Sequence, residues 1–240
     1  MRPDTITVQP PLFPSVPRRR REVRDPYDGL RPWSAITHGA GAVLSLAGTI
    51  YLLLRTAAEG NGLLFGLMAV YGLSMVCLYT ASTLYHCLRV SVPGRLALRK
   101  YDHCSIYLLI AGSYTPICLT ALRHSGGPLL LSCIWTLAAA GLVLTIAKLG
   151  IPRWLTSTIY LIMGWLAIFA IVPLYRALPT SGFVWLLAGG LSYTVGGVLY
   201  AVKWPGRNNP RFGCHEIFHL FILLGSIFHF ILMYEVVVFL

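Results

Sequence analysis

Charge is scarce along this chain: 11% of its residues are charged, and only eight of the 240 are acidic, against nineteen Lys and Arg. So thin a polar complement cannot cover a water-soluble globule of this size. A mean hydropathy of +0.70 and a 56% hydrophobic content are those of an integral membrane protein. A disulfide framework is also missing. The six cysteines, Cys77, Cys87, Cys104, Cys118, Cys133 and Cys214, lie in or beside apolar segments with no loops to staple, so buried free thiols are expected. Met1 to Trp33 has no apolar stretch of signal-peptide length. It is rich in Pro and Arg and includes the run Arg18 to Arg21, which predicts a disordered, basic cytoplasmic tail over 1–33 lying against anionic lipid headgroups. Beside a membrane domain, that run is read as lipid-facing and not as a nucleic-acid site.

What is there is apolar sequence in long runs. Segments able to cross about 30 Å of hydrocarbon occur at roughly 36–54, 63–88, 102–121, 128–147, 155–175, 181–202 and 215–239. Gly, Pro and Asn punctuate the gaps, as in Glu59-Gly60-Asn61-Gly62 and Val92-Pro93-Gly94-Arg95. Sixteen of the nineteen Lys and Arg fall in the tail and the even-numbered connections; only Arg55, Arg123 and Arg176 fall in the others. The positive-inside rule then predicts an all-α integral membrane protein, a seven-transmembrane helix bundle over 34–240, with a cytoplasmic N-terminus and an extracytoplasmic C-terminus. Gly39, Gly41, Gly189, Gly190, Gly196 and Gly197 are expected at close helix-packing seams, and Pro116 is expected to kink the third helix.

Ionisable residues inside such helices are costly, and three stretches carry them at one predicted depth. The second segment ends in Ser82-Thr83-Leu84-Tyr85-His86, the third begins Asp102-His103-Cys104-Ser105, and the last begins His215-Glu216-Ile217-Phe218-His219. His215 and His219 are spaced i, i+4 and share a helix face, as do Ser82 and His86. Three imidazoles, from His86, His215 and His219, are ligands that zinc accepts, with water in a fourth position and Asp102 hydrogen-bonded to that water or to an imidazole. The plainer reading of Asp102 is a carboxylate at a helix N-terminus, held by the helix dipole and by Arg99 and Lys100. His103 is expected to point away from Asp102. His229 lies too far along its helix to join a metal, and His124 falls in an outer loop. Thiolate ligation by Cys87, Cys104 or Cys214 is a minor alternative.

These stretches, together with Gly112-Ser113-Tyr114-Thr115-Pro116, Tyr160-Leu161-Ile162-Met163-Gly164-Trp165 and Gly189-Gly190-Leu191-Ser192-Tyr193-Thr194-Val195-Gly196, resemble the bacterial hemolysin III branch of the progestin and adipoQ receptor family over about 36–239. The resemblance implies a multi-pass protein of the bacterial cytoplasmic membrane, with zinc near the inner face held by His86, His215 and His219. It also implies Asp102 on the zinc-bound water with Ser82 beside it, and a relationship to alkaline ceramidases, which cleave a lipid amide. One departure stands out. Family members often open the first helix with Glu and, three residues on, Asn; here those positions hold Arg31 and Ser34, which weakens any role for His38. Helix-start capping is expected of Thr37-His38.

The leading functional expectation is a zinc-dependent hydrolase of a membrane lipid amide or ester, with Asp102 as general base and Ser82 holding the developing oxyanion. The alternatives are a sensor of lipid or membrane state with a structural zinc, a pore-forming cytolysin, and a zincin-type protease in which His-Glu-x-x-His supplies Glu216 as base.

Overall fold

The structure, a computed structural model, describes residues 30–147, 153–207, 209 and 211–240. The tail reading for Arg18 to Arg21 and the charge count at Lys148 concern residues outside this set. Among the described residues every regular element is helical. The order is α1 Pro32–Ala58, α2 Gly62–Cys87, α3 Val92–Leu119, α4 Gly127–Ile146, α5 Arg153–Trp165, α6 Ile171–Ala177, α7 Thr180–Val202 and α8 Cys214–Glu235.

Two elements differ from the sequence expectation. Val92-Pro93-Gly94-Arg95 is no loop: Ser91 caps the backbone N–H of Gly94, and Pro93 sits in the first turn of α3, where its missing N–H costs nothing. The helix therefore begins about ten residues early, and Asp102 lies about 15 Å inside it by rise. The reading of Asp102 as a helix-terminal carboxylate fails for that reason. The segment at 155–175 is not one uniform helix. A 3-10 stretch, Leu166–Ala170, separates α5 from α6. It lies one turn before Pro173, which has no N–H to return to the preceding turn. Pro116 falls in the last turn of α3 and not at its middle.

Six helical stretches are long and apolar enough to cross a membrane: Pro32–Ala58, Gly62–Cys87, Gly127–Ile146, Leu155–Ala177, Thr180–Val202 and Cys214–Phe239. α3 has the length, with 28 residues, but Asp102, His103, Ser105, Ser113 and Thr115 dilute its hydropathy. The surface matches that reading, since Val43 (69% exposed), Leu129 (72%) and Phe169 (83%) point outward. α1 shows the pattern inverted with respect to a soluble helix. Its buried stripe is Ser34, His38, Gly41, Ser45, Thr49, Leu52 and Thr56, mostly small and polar residues three or four apart. The hydroxyls of Ser45, Thr49 and Thr56 are satisfied within the helix by the carbonyls of Ala42, Ser45 and Leu52. Consecutive helices α1 to α4 pack side by side, α7 packs on α8, and α8 returns to α1. That last contact brings the start of α1, the end of α2 and the start of α8 together.

The glycine seams are real at some positions only. A Cβ on Gly41 would come within 2.5 Å of the Tyr79 ring, and one on Gly189 within 2.2 Å of the His229 ring, whereas Gly190 has nothing within 4 Å. Tyr79 cannot easily yield, because its hydroxyl donates to Ser226 at 2.7 Å. All six cysteines are free, and three of them, Cys104, Cys118 and Cys214, are buried as expected; Cys87 and Cys133 are exposed. Gly41→Ala should therefore destabilise by about 1–3 kcal/mol through overpacking, while Gly190→Ala is neutral. Thermal unfolding in detergent checks this; equal behaviour of the two variants would contradict the seam.

Candidate metal centre

α2 ends with Ser82 and His86 one turn apart on its buried face, at 2% and 1% exposure. α8 begins after Gly213, and its first two turns carry His215 and His219 on one face. The two helices meet so that the Nε2 atoms of His86 and His215 stand 3.2 Å apart. His86, His215 and His219 each offer one ring nitrogen, and these three atoms lie within 4.8 Å of one another.

This donor set fits a zinc ion. Zinc–nitrogen bonds of about 2.0–2.1 Å at tetrahedral angles separate two ligand nitrogens by about 3.3 Å, close to the spacing of His86 and His215. A pair of neutral imidazoles can share one hydrogen bond between facing nitrogens, but a third converging on the same point gains nothing from it. A cation satisfies all three. The Nδ1 atoms of His86 and His215 are buried without a hydrogen-bond partner among the described residues. Ligating imidazoles are ordinarily oriented through that second nitrogen, so the orientation of these rings comes from elsewhere. No carboxylate or thiol among the described residues joins the group, and Cys87, Cys104 and Cys214 are not part of it.

Asp102 and Ser82 sit in the neighbouring space. Ser82, Asp102, His215 and His219 line a cavity of about 640 Å3 whose wall also includes Leu186, Tyr193 and His229. The Ser82 hydroxyl lies beside the Asp102 carboxyl. His103 does approach Asp102, contrary to the helical-wheel expectation: its Nδ1 is 3.6 Å from Oδ2, and 2.8 Å from the Arg99 carbonyl. His229 stays apart from the cluster, its ring edge-on to Tyr193 and its Nε2 3.4 Å from the Leu186 carbonyl. His124 is exposed.

Sequence undervalues His38. Because α1 starts at Pro32, Thr37 and His38 lie past its first turn and cap nothing; the Thr37 hydroxyl returns to the Trp33 and Ser34 carbonyls. His38 is 3% exposed and its ring stacks on His219, with centroids 3.6 Å apart and planes 11° off parallel. The signal for it is the stripe of polar residues at helical spacing that runs from Ser34 to Thr56. Glu216, between the two α8 histidines, turns toward α1. Its Oε1 accepts from Arg31 at 2.6 Å and from Ser34 at 3.1 Å, and its Oε2 accepts from the Gly213 N–H at 2.9 Å, the reciprocal half of a capping box.

Known proteins are similar to this sequence. The family described as Haemolysin-III related matches residues 32–230. The chain is 42% identical over 193 residues to Hemolysin-3 of Bacillus cereus, covering 80% of this chain and 85% of that protein. It is 38% identical over the same length to the Hemolysin-3 homolog of Bacillus subtilis strain 168, covering 80% and 87%. An adiponectin receptor protein of Drosophila melanogaster is 26% identical, over 81% of this chain and 48% of the receptor, a distant relationship. With its apolar helices, its match over most of their length and these two Bacillus relatives, the chain is a multi-pass membrane protein that belongs to the Haemolysin-III related family.

Proposed function

We propose that this protein crosses the bacterial cytoplasmic membrane seven times, α3 included, and hydrolyses an amide or ester bond of a membrane lipid at a zinc site formed by His86, His215 and His219. The observation that carries this reading is the convergence of three ring nitrogens, two of them on residues that line a cavity also lined by the Asp102 carboxyl and the Ser82 hydroxyl. A zinc ion held by these three histidines would supply Lewis acidity and lower the pKa of water at the site. Asp102 takes the proton from the attacking water and returns it to the leaving group, as a general base and then a general acid. Ser82 donates its hydroxyl to the oxygen on which charge builds up. The apolar length of the cavity, with Leu109, Ile110, Leu186 and Leu187 among its lining, receives the acyl chain.

Glu216 does not serve this chemistry as a base, because both of its oxygens are engaged with α1 and with the α8 cap. That argues against the zincin reading. A zinc that only ties α2 to α8 in a lipid sensor is the second reading, and the meeting of the His86 and His215 rings across the two helices favours it. The cytolytic reading draws on the names of the Bacillus relatives, and none of these contacts adds to it.

Protein purified with zinc should carry about one ion per chain, lost in His86→Ala, His215→Ala and His219→Ala. Asp102→Asn should keep the ion and lose about 10²–10⁴-fold in turnover of ceramide or a related lipid in liposomes. Zinc retained without turnover of any lipid class makes the sensor reading the correct one, and absence of zinc overturns both. For orientation, Ser91→Cys should react with an impermeant thiol reagent only in broken cells, and Asn61→Cys in intact ones; the reverse pattern contradicts a cytoplasmic metal centre.

A further inference from the structure

The rings of His86 and His215 lack a hydrogen bond at Nδ1 among the described residues, so something other than the usual partner of a ligating imidazole must hold them on one point. One residue touches both ligand-bearing helix ends. The backbone N–H of Arg31 donates to the carbonyl of His86 itself at 3.1 Å, at the end of α2. Its guanidinium donates to Glu216 at 2.6 Å, one residue after His215 and three before His219. Glu216 is 1% exposed and is also held by Ser34, one turn along α1, and by the α8 cap at Gly213.

We propose that Arg31 is the positioning residue of the metal centre, a staple that fixes the last turn of α2 against the first turn of α8 so that His86 meets His215 and His219. This deepens the zinc reading and rests on it. It also gives a common role to Arg31 and Ser34, since both grip the same carboxylate. The stacking of His38 on His219 completes the support from α1. A purely structural role for the ion pair is the competing account, since a buried pair that loses one member leaves a stranded charge whatever the pair is for.

The two accounts separate when stability and metal affinity are read together, in the full-length protein in detergent. Arg31→Met should weaken zinc binding about 10–100-fold by chelator competition and lower the unfolding temperature. In Arg31→Met/Glu216→Gln the stranded charge is gone, so the unfolding temperature should recover while zinc affinity stays weak; Arg31→Lys should restore the affinity. Recovery of affinity in the double variant, or full affinity in Arg31→Met, overturns the proposal. A second readout needs no metal. Spin labels at Arg89 and Arg211, just beyond the two helix ends, should give a narrow distance distribution in the metal-free protein that broadens in Arg31→Met. An unchanged distribution overturns the staple even if the wild type holds no zinc, whereas a wild type that holds no zinc but broadens on substitution sinks the metal reading and leaves the staple standing.

Discussion

An imidazole placed among hydrocarbon chains has no water to turn to, and its polar nitrogens cost free energy unless the protein itself supplies partners. That constraint organises this bundle. His86, His215 and His219 face one another and not the lipid, and α1, packed on both α2 and α8, holds the helices that carry them within reach of each other. Large apolar residues such as Val43, Leu129 and Phe169 point outward, while the mostly polar stripe of α1 points in. The hydrophobic effect contributes little between helices already in an apolar medium, so close packing at small residues such as Gly41 and a few buried polar contacts determine which helices meet.

The consequence is a site assembled from stretches far apart in the chain. The start of α1 contributes Arg31, Ser34 and His38, α2 contributes Ser82 and His86, α3 contributes Asp102, and α8 contributes the paired histidines. None of these helices could hold the arrangement alone. The return of α8 onto α1 closes the set, and Arg31 lies at that closure, bonded by its main chain to one neighbour and by its side chain to the other. A buried Arg–Glu contact at this position makes the start of α1 part of the site's frame and not merely the first turn of a membrane anchor.

Much of this is legible in the sequence, for identifiable reasons. Helices in an apolar solvent need long hydrophobic runs, so α1, α2, α4, α7 and α8 appear in the sequence within a few residues of their observed ends. The i, i+4 spacing of His215 and His219 and the charge asymmetry of the loops put His86 near them before any coordinates. What sequence does not convey is contact between distant stretches. Glu216 reads as a general base in a familiar motif, and only the approach of Arg31 and Ser34 shows its carboxylate turned toward α1. His38 reads as a residue near a helix start because the apolar run begins later than the helix does. The first turn of α3 reads as a loop because Pro93-Gly94 marks a helix start as readily as a turn, and that misplacement puts Asp102 at a terminus it does not occupy.

Anomalous scattering at the zinc absorption edge, from crystals of the protein purified without added chelator, tests the central claim most directly. A zinc-bridged bundle predicts a single peak about 2.0–2.1 Å from a ring nitrogen of each of His86, His215 and His219. A peak elsewhere in the bundle, or none at these three rings in protein shown to be folded, contradicts it.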